Sequence, residues 1–247
     1  MNAEIAAVMA GESQGCIVCG DGPGMLALYK IYAEMIFLDP PDNLGLQYDG
    51  YRDRLPAAEY ESTLRRWLSR STVHGTTVFF TPNARYEPVL WPMMATWDRC
   101  EVRKIIWRFT FGQYRQNDLG NGYRPIFRIR QDGAPLYPDA IREPSARQTQ
   151  YNDKRADPRG RVPDDVWDFP RVCGTFKKRR RWHPTQFPQA LVERCILLST
   201  KPGDLVVDPM AGSGTTYRAA MKLGRRCIAI DISQTYVDRM RAEAEGG

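Results

Sequence analysis

Histidine is nearly absent, and that narrows the chemistry at once. Two histidines, His74 and His183, occur in 247 residues, too few for a histidine-rich metal centre. Cysteine occurs six times but is scattered. Cys16 and Cys19 form one C-x-x-C, with no second pair to complete a zinc or redox motif. The residues between them, Ile17 and Val18, make that segment read as a short apolar strand. Cys100, Cys173, Cys195 and Cys227 sit among apolar neighbours and read as buried thiols. No metal site is therefore expected. No secretory leader is seen, and no apolar run approaches the length of about 18 residues that a membrane span needs. This predicts a soluble, cytoplasmic protein without a membrane partner. An internal repeat is also missing, which excludes a solenoid or propeller.

What is present is ordinary globular composition: 43% apolar and 26% charged residues, with 20 Gly and 18 Pro. Collagen-like, coiled-coil and wholly disordered chains are excluded. The formal charge of +6 is unevenly spread. Residues 1–60 hold three basic residues against nine acidic ones, so the remainder carries +12, mostly between Arg65 and Arg181. A basic middle suits a polyanion, and equally suits a solvated Arg-rich surface.

Apolar periodicity divides the chain in three. Strands are predicted at 16–18, 36–38, 76–81 and 102–111, and helices at 25–35, 56–70 and 86–97, the last interrupted by Pro92. From 112 to 182 the pattern fails, and Pro, Gly, Arg and Asp dominate. A loop-rich stretch of this length is usually functional or disordered, and Tyr151, Trp167 and Phe169 argue against simple disorder. Regularity returns with a helix at 187–199, a strand at 205–207, a helix from 211 to 223 closed by Gly224, a strand at 227–230 and a helix at 234–244. Strand–helix alternation implies an α/β fold with a doubly wound, mostly parallel sheet. The expected organisation is one core in two halves, 1–111 and 183–247, separated by a basic insert at 112–182.

Two strand ends carry the chemistry. The first reads Val207-Asp208-Pro209-Met210-Ala211-Gly212-Ser213-Gly214-Thr215-Thr216. A Gly-rich turn between strand and helix lets a ligand approach the backbone closely. No Lys follows as in a phosphate-binding P-loop, and Asp208 precedes the turn instead. A carboxylate there suits a positive ligand or hydroxyl donors. Asp231 ends the next strand, 23 residues on, where an acid is suited to a ribose diol. A nucleoside carrying a cation meets both conditions, and S-adenosyl-L-methionine is one. The second strand end reads Leu38-Asp39-Pro40-Pro41-Asp42. Two prolines stiffen the segment and remove backbone donors. The Asp39 carboxylate and the proline carbonyls remain as acceptors, which an exocyclic amine with two N–H groups would satisfy.

In this order the motifs resemble the circularly permuted β class of DNA amino-methyltransferases, the adenine-N6 or cytosine-N4 type. That family has its D/S-P-P-Y motif early and its adenosylmethionine loop late. Further matches are Gly20-Asp21, His183-Pro184-Thr185-Gln186, Pro202-Gly203-Asp204, and the stretch from Gly224 to Ile232. The resemblance covers about residues 14–110 and 182–242. It implies a class I methyltransferase fold in which the catalytic segment is Asp39, Pro40, Pro41 and Asp42, with Asp39 and the Pro40 carbonyl holding the target amine. It implies a cofactor site of Asp21, Thr185, Gln186, Asp208, Pro209, Ala211, Gly212, Ser213, Gly214, Thr215, Asp231 and Ile232, with Asp231 on the ribose, Thr185 and Gln186 near the methionine portion and Asp21 near the adenine. His183 reads either as part of that motif or as a structural histidine.

The resemblance further implies direct transfer of the sulfonium methyl to an extruded base, with adenine N6 favoured because Asp precedes the prolines. Target recognition would fall in 112–182, where Arg142, Arg147, Lys154, Arg155, Arg159, Arg161 and the run Lys177, Lys178, Arg179, Arg180, Arg181 would contact DNA phosphates. The implied setting is restriction–modification in the cytoplasm of a prokaryotic or phage-infected cell, with DNA as partner and a homodimer or a methyltransferase partner subunit as possible assemblies. Three positions depart from the pattern. Asp42 stands where the family has the aromatic that stacks on the base, Met210 replaces a Phe, and Phe187 replaces a Lys. Tyr48, Tyr51 and Trp107 are candidate substitutes for the missing ring. Two other readings stay open: a non-catalytic DNA-binding or partner subunit, which Asp42 motivates, and a methyltransferase of RNA or modified bases.

Overall fold

Met35-Ile36-Phe37-Leu38 and Val206-Val207 are apolar on both faces, the pattern of strands covered by helices on either side. They lie at the centre of one eight-stranded sheet. The computed structural model describes residues 2–110, 115–174, 176–177 and 179–246. In chain order its elements are α1 (Ala3–Ala10), β1 (Gly15–Cys19), α2 (Gly22–Leu28), β2 (Ala33–Leu38), α3 (Ala57–His74), β3 (Gly75–Phe80), α4 (Glu87–Ala95), β4 (Cys100–Arg108), β5 (Tyr123–Gln131), α5 (Ala146–Thr149), β6 (Val166–Asp168), α6 (Gln189–Ser199), β7 (Leu205–Asp208), α7 (Thr215–Lys222), β8 (Arg226–Asp231) and α8 (Gln234–Glu245).

The strand order is β1-β8-β7-β2-β3-β5-β4-β6. β5 runs antiparallel to both β3 and β4, and the remaining pairings are parallel. Side chains of β2 alternate between two cores. Ile36 and Leu38 pack with Tyr60, Leu64 and Leu68 of α3, whereas Met35 and Phe37 pack with Leu191, Val192 and Cys195 of α6. From β7 the chain winds through α7 to β8, and from β2 through α3 to β3 on the other side. The sheet therefore changes direction between β7 and β2, and ligands of open α/β sheets bind outside the strand ends at such a point.

Three sequence expectations need correction. The helix expected at 25–35 is shorter, because Lys30 adopts a left-handed φ of 51° that ends it. Ile31 N–H then bonds back to Leu26 O, and the freed residues lengthen β2. Secondly, the stretch read as irregular from 112 to 182 contains β5 and β6. Arg124, Arg128, Arg130 and Pro125 masked the strand signal of β5, although Ile126, Phe127 and Ile129 are buried in it. Buried Arg128 is tolerated there because Glu101 on β4 accepts its hydrogen bond at 2.7 Å. Thirdly, the helix expected from 211 starts at Thr215, since positive φ at Gly212 and Gly214 keeps the preceding turn open.

Candidate active site

Four neighbouring strands end in or just before an acid. β1, β8, β7 and β2 lead into Asp21, Asp231, Asp208 and Asp39. Their register lines these residues along the carboxyl edge of the sheet, where they face one cleft of about 900 Å³ counting its open mouth. Pro40, Pro41, Thr185, Gln186, Pro209, Ala211, Gly212, Ser213, Thr215 and Ile232 line the same cleft. Two expected residues do not. Gly214 caps α7 with φ 73°, and a Cβ there would meet Met240 of α8, so it shapes the turn instead of facing the cleft. Asp42 faces a second, adjoining cavity.

Glycine is required where the walls close in. A Cβ on Gly212 would lie 2.8 Å from the His183 ring, and φ there is 49°. One on Gly22 would fall within 1.8 Å of the Pro209 carbonyl oxygen. The acids are held by the turns they flank. Asp208 accepts from Met210 N–H at 3.0 Å. Asp231 accepts from Gly212 N–H at 2.8 Å and from Ser233 N–H at 2.9 Å. Each oxygen keeps a further lone pair for a ligand hydroxyl. Burial pushes Asp208 up to about 7 and Asp39 up to about 6, and it raises Asp231. Asp39 and Asp231 also repel the charge on Asp208. A bound cation would relieve this crowding. The residues thus fit S-adenosylmethionine: carboxylates for a positively charged group and for hydroxyls, and Pro23, Met210 and Ile232 as apolar wall.

His183 belongs to the wall. Its Nδ1 faces the Thr185 carbonyl oxygen at 2.5 Å, and its ring packs on Tyr236 with centroids 4.7 Å apart. Burial lowers its pKa to about 4, so it is neutral. The loop at 43–54 closes the cleft from the other side. Asp53 accepts from Asn43, Leu44 and Leu46 N–H groups and folds the loop on itself. At its tip, Ser233 Oγ donates to Asp49, and Asp49 N–H donates to Tyr236 Oη at 3.0 Å. Tyr48 reaches Thr185 Oγ1 at 3.4 Å.

The second cavity, about 1210 Å³ including its mouth, opens beside Asp39. It shares Asp39, Pro40, Tyr48, Thr185, Gln186 and Phe187 with the cleft and adds Asp42, Trp107, Phe109 and Arg124. Of the three rings considered as substitutes for the missing aromatic, Tyr48 and Trp107 face this cavity, whereas Tyr51 faces the cofactor cleft. Trp107 Nε1 is tied to Phe169 O at 2.8 Å and its ring packs on Phe187. Pro41 gives its carbonyl to the Tyr60 hydroxyl, so of the two prolines only Pro40 has a carbonyl left unpaired among the described residues.

Arg124 is the residue that sequence reasoning missed. It lies on β5 and bonds to both Asp39 and Asp42 at 2.9 Å. No motif announces it; the alternation of apolar residues and arginines at 127–130 is the local signal available.

The basic run divides. Lys177 and Arg181 are exposed, Arg179 lines the second cavity, and Lys178 lies outside the described residues. Arg180 pairs with Glu243 of α8 at 2.7 Å. Of the other expected contacts, Arg142, Arg147, Arg155, Arg159 and Arg161 all pair with neighbouring acids, among them Asp139, Asp153, Asp157 and Glu143.

A doubly wound sheet with an acid-rimmed cleft at its switch point, adjoined by a ring-lined cavity, is the arrangement that the class I methyltransferase resemblance implies. Comparison with known proteins narrows the class. The chain belongs to the DNA methylase family of N6 and N4 methyltransferases, whose match spans residues 33–242. It is a DNA methyltransferase that uses S-adenosylmethionine. Type II methyltransferase M.ScaI of Streptomyces caespitosus is 31% identical over 248 residues, covering 89% of this chain and 80% of the relative. DNA adenine methyltransferase YhdJ of Escherichia coli K12 is 33% identical over 246 residues, covering 92% and 81%. Among solved structures, the cytosine-N4-specific PvuII DNA methyltransferase superposes with a TM-score of 0.68 at 16% identity, covering 93% of this chain and 86% of that one. The M1.HpyAVI–SAM complex gives 0.62 at 18% identity, covering 93% and 99%.

Proposed function

We propose that the chain methylates adenine at N6 in duplex DNA, and that Asp39 and the Pro40 carbonyl are the acceptors of the target amine. The observation that carries this reading is the junction. Asp39 and Pro40 line both the cofactor cleft and the second cavity, so a base in one can meet a methyl donor in the other. S-adenosylmethionine, when bound, supplies an electrophilic methyl on a positive sulfur. The chain supplies position and charge. Hydrogen bonds from the amine to Asp39 Oδ2 and Pro40 O favour the pyramidal nitrogen, whose lone pair is then free to attack. Asp39 Oδ2, which accepts from the amine, is also placed to take the proton that the methylated nitrogen must release.

The target base must leave the helix to reach the cavity. Tyr48 and Phe187 present rings there and take over the stacking expected of the residue at 42. Asp208, Asp231 and the 211–215 turn bind the cofactor, with Thr185, Gln186, Asp21 and Ile232 completing its site. Lys177, Lys178, Arg179 and Arg181 contact backbone phosphates. Adenine is favoured by the Asp before the prolines and by the adenine activity named for the YhdJ relative. The reading extends to a modification enzyme of the bacterial or phage-infected cytoplasm, active as a homodimer or with a partner subunit. Among the described residues no helix is long and apolar enough to cross a membrane.

The test is nucleoside mass spectrometry after incubation with S-adenosylmethionine and mixed-sequence DNA, with mixed-sequence RNA in parallel. N6-methyladenine that disappears in Asp39→Ala is the expected result. N4-methylcytosine would reassign the base, methylated RNA the substrate, and no product would overturn the reading.

A further inference from the structure

The residue after the two prolines is an acid, and it is not idle. Asp42 is buried, with its Oδ2 on Arg124 Nη1 at 2.9 Å. Arg124 Nη2 reaches Asp39 Oδ1 at the same distance, and its Nε donates to Thr81 O at 3.1 Å. Three acceptors on two segments, the 39–42 stretch and Thr81 just past β3, thus fix one planar guanidinium, a geometry that its rigid fork of donors allows and an ammonium does not. Thr81 Oγ1 also donates to Asp39 Oδ1 at 2.7 Å. Oδ1 is therefore saturated from the protein side, while no described residue donates to Oδ2. Arg124 and Asp42 line the second cavity and not the cofactor cleft.

We infer that Arg124 and Asp42 are positioning residues for methyl transfer: Asp42 anchors Arg124, and Arg124 holds Asp39 by one oxygen, so that the other is presented, ionised, to the target amine. The inference rests on the proposed role of Asp39 as amine acceptor. Its logic is electrostatic. Two carboxylates and one guanidinium leave the trio with a single net negative charge, in a site where a positive charge develops on the attacked nitrogen. Without Arg124, Asp39 and Asp42 would be two carboxylates in one partly buried site, and one of them would hold a proton. A protonated Asp39 becomes a donor in competition with the amine. Asp208 from β7 and Tyr48 from the 43–54 loop also couple to Asp39; Tyr123, Arg171 and Arg179 line the same cavity, but among the described residues Arg124 is the cation that pairs with Asp39.

The experiment is single-turnover methyl transfer to duplex DNA at saturating S-adenosylmethionine, followed from pH 5 to 9. It compares the wild type with Arg124→Gln, Arg124→Lys, Asp42→Asn and the double variant Arg124→Gln/Asp42→Asn. Calorimetric cofactor affinity and thermal melting accompany each profile. Arg124→Gln should move the acid limb of the profile up by about one pH unit or more and lower the plateau by about 10²-fold. Asp42→Asn removes a repelling charge and should move the limb down. The double variant should fall between them. Arg124→Lys keeps the charge without the fork, so its limb should stay near that of the wild type while its plateau drops. Cofactor affinity should remain within about threefold throughout, because neither residue lines that cleft. Limbs that stay put, or that move in the same direction in Arg124→Gln and Asp42→Asn, would overturn the clamp while leaving the methyltransferase reading intact. A wild type that transfers no methyl to DNA would remove that reading, and the clamp with it.

Discussion

Along the carboxyl edge of the sheet, Asp39, Asp208 and Asp231 face a shared cleft, and Arg124 is the cation that pairs with one of them among the described residues. In the middle of the chain the arrangement is reversed. Arg147 and Arg155 share Asp153, Arg159 lies on Asp157, and Arg161 bonds to both Glu143 and Asp164. The acids at the edge are crowded, buried and raised in pKa, whereas Asp153 and Asp157 are held below the usual carboxylate range by hydrogen bonds from their arginine partners. Net charge from the sequence therefore misjudges both regions. The edge is a site because, among the described residues, Asp208 and Asp231 have no cationic partner and Asp39 has one on a single oxygen, whereas much of the basic middle is a self-neutralised surface.

The sharpest way to break this comparison is to remove the acid at the junction. Asp39→Ala should lower methyl transfer by about 10²–10³-fold or more, the scale of losing a positioned electrostatic contact. Cofactor affinity should change only a few-fold, since Asp208 and Asp231 remain. Labelled-methyl turnover and calorimetry read the two quantities separately. Equal losses in both would mean that the edge acts as one cofactor site with no division of labour.

The turn that carries the edge comes next. Gly212→Ala places a Cβ against the His183 ring in a backbone conformation that L-residues resist. The strain should amount to about 1–3 kcal/mol, seen as a lower melting temperature, and S-adenosylmethionine should bind about tenfold more weakly or worse. Unchanged affinity would separate the turn from the cofactor.

The crowding itself can be titrated. A cationic ligand needs Asp208 ionised, and burial has pushed that carboxyl up to about 7. Lowering the pH through that value protonates it and removes the attraction. Affinity for S-adenosylmethionine should therefore fall below pH 7, by up to about tenfold per pH unit for one linked proton. S-adenosylhomocysteine lacks the sulfonium charge and should show a shallower dependence. Parallel curves for the two ligands would place the linked proton away from the sulfur.

What was legible in the sequence follows the same division. The acid-flanked turn, the ribose acid and the Asp39 segment are local patterns, each contiguous in the chain, and the sheet brings them to one edge. Arg124 was not legible, because its meaning comes from antiparallel pairing between β5 and β3, which sets it opposite the end of β2 from 82 residues beyond Asp42. The strand itself was hidden by arginines whose partners, such as Glu101, lie on another strand. Ion pairs in the middle were equally hidden, since a count of charges cannot tell a paired arginine from a free one. Gly214 shows the opposite error, a motif residue whose work is to shape the turn and pack on Met240.

The smallest expected effect concerns the basic middle. DNA affinity falls with salt by about 0.9 log units per log unit for every phosphate contact. Lys177 and Arg181 are exposed, and Arg179 lines the cavity beside Asp42. Replacing these three by Ala should flatten the salt dependence of binding by roughly two to three units of slope. Replacing Arg155 and Arg159 should flatten it much less, because their guanidinium groups already face Asp153 and Asp157. Binding to one duplex, measured by fluorescence anisotropy across a salt series, compares the two sets directly. Equal slopes would show that the ion pairs open on DNA at no cost, and the distinction between charge that is available and charge that is spent would then fail for this surface.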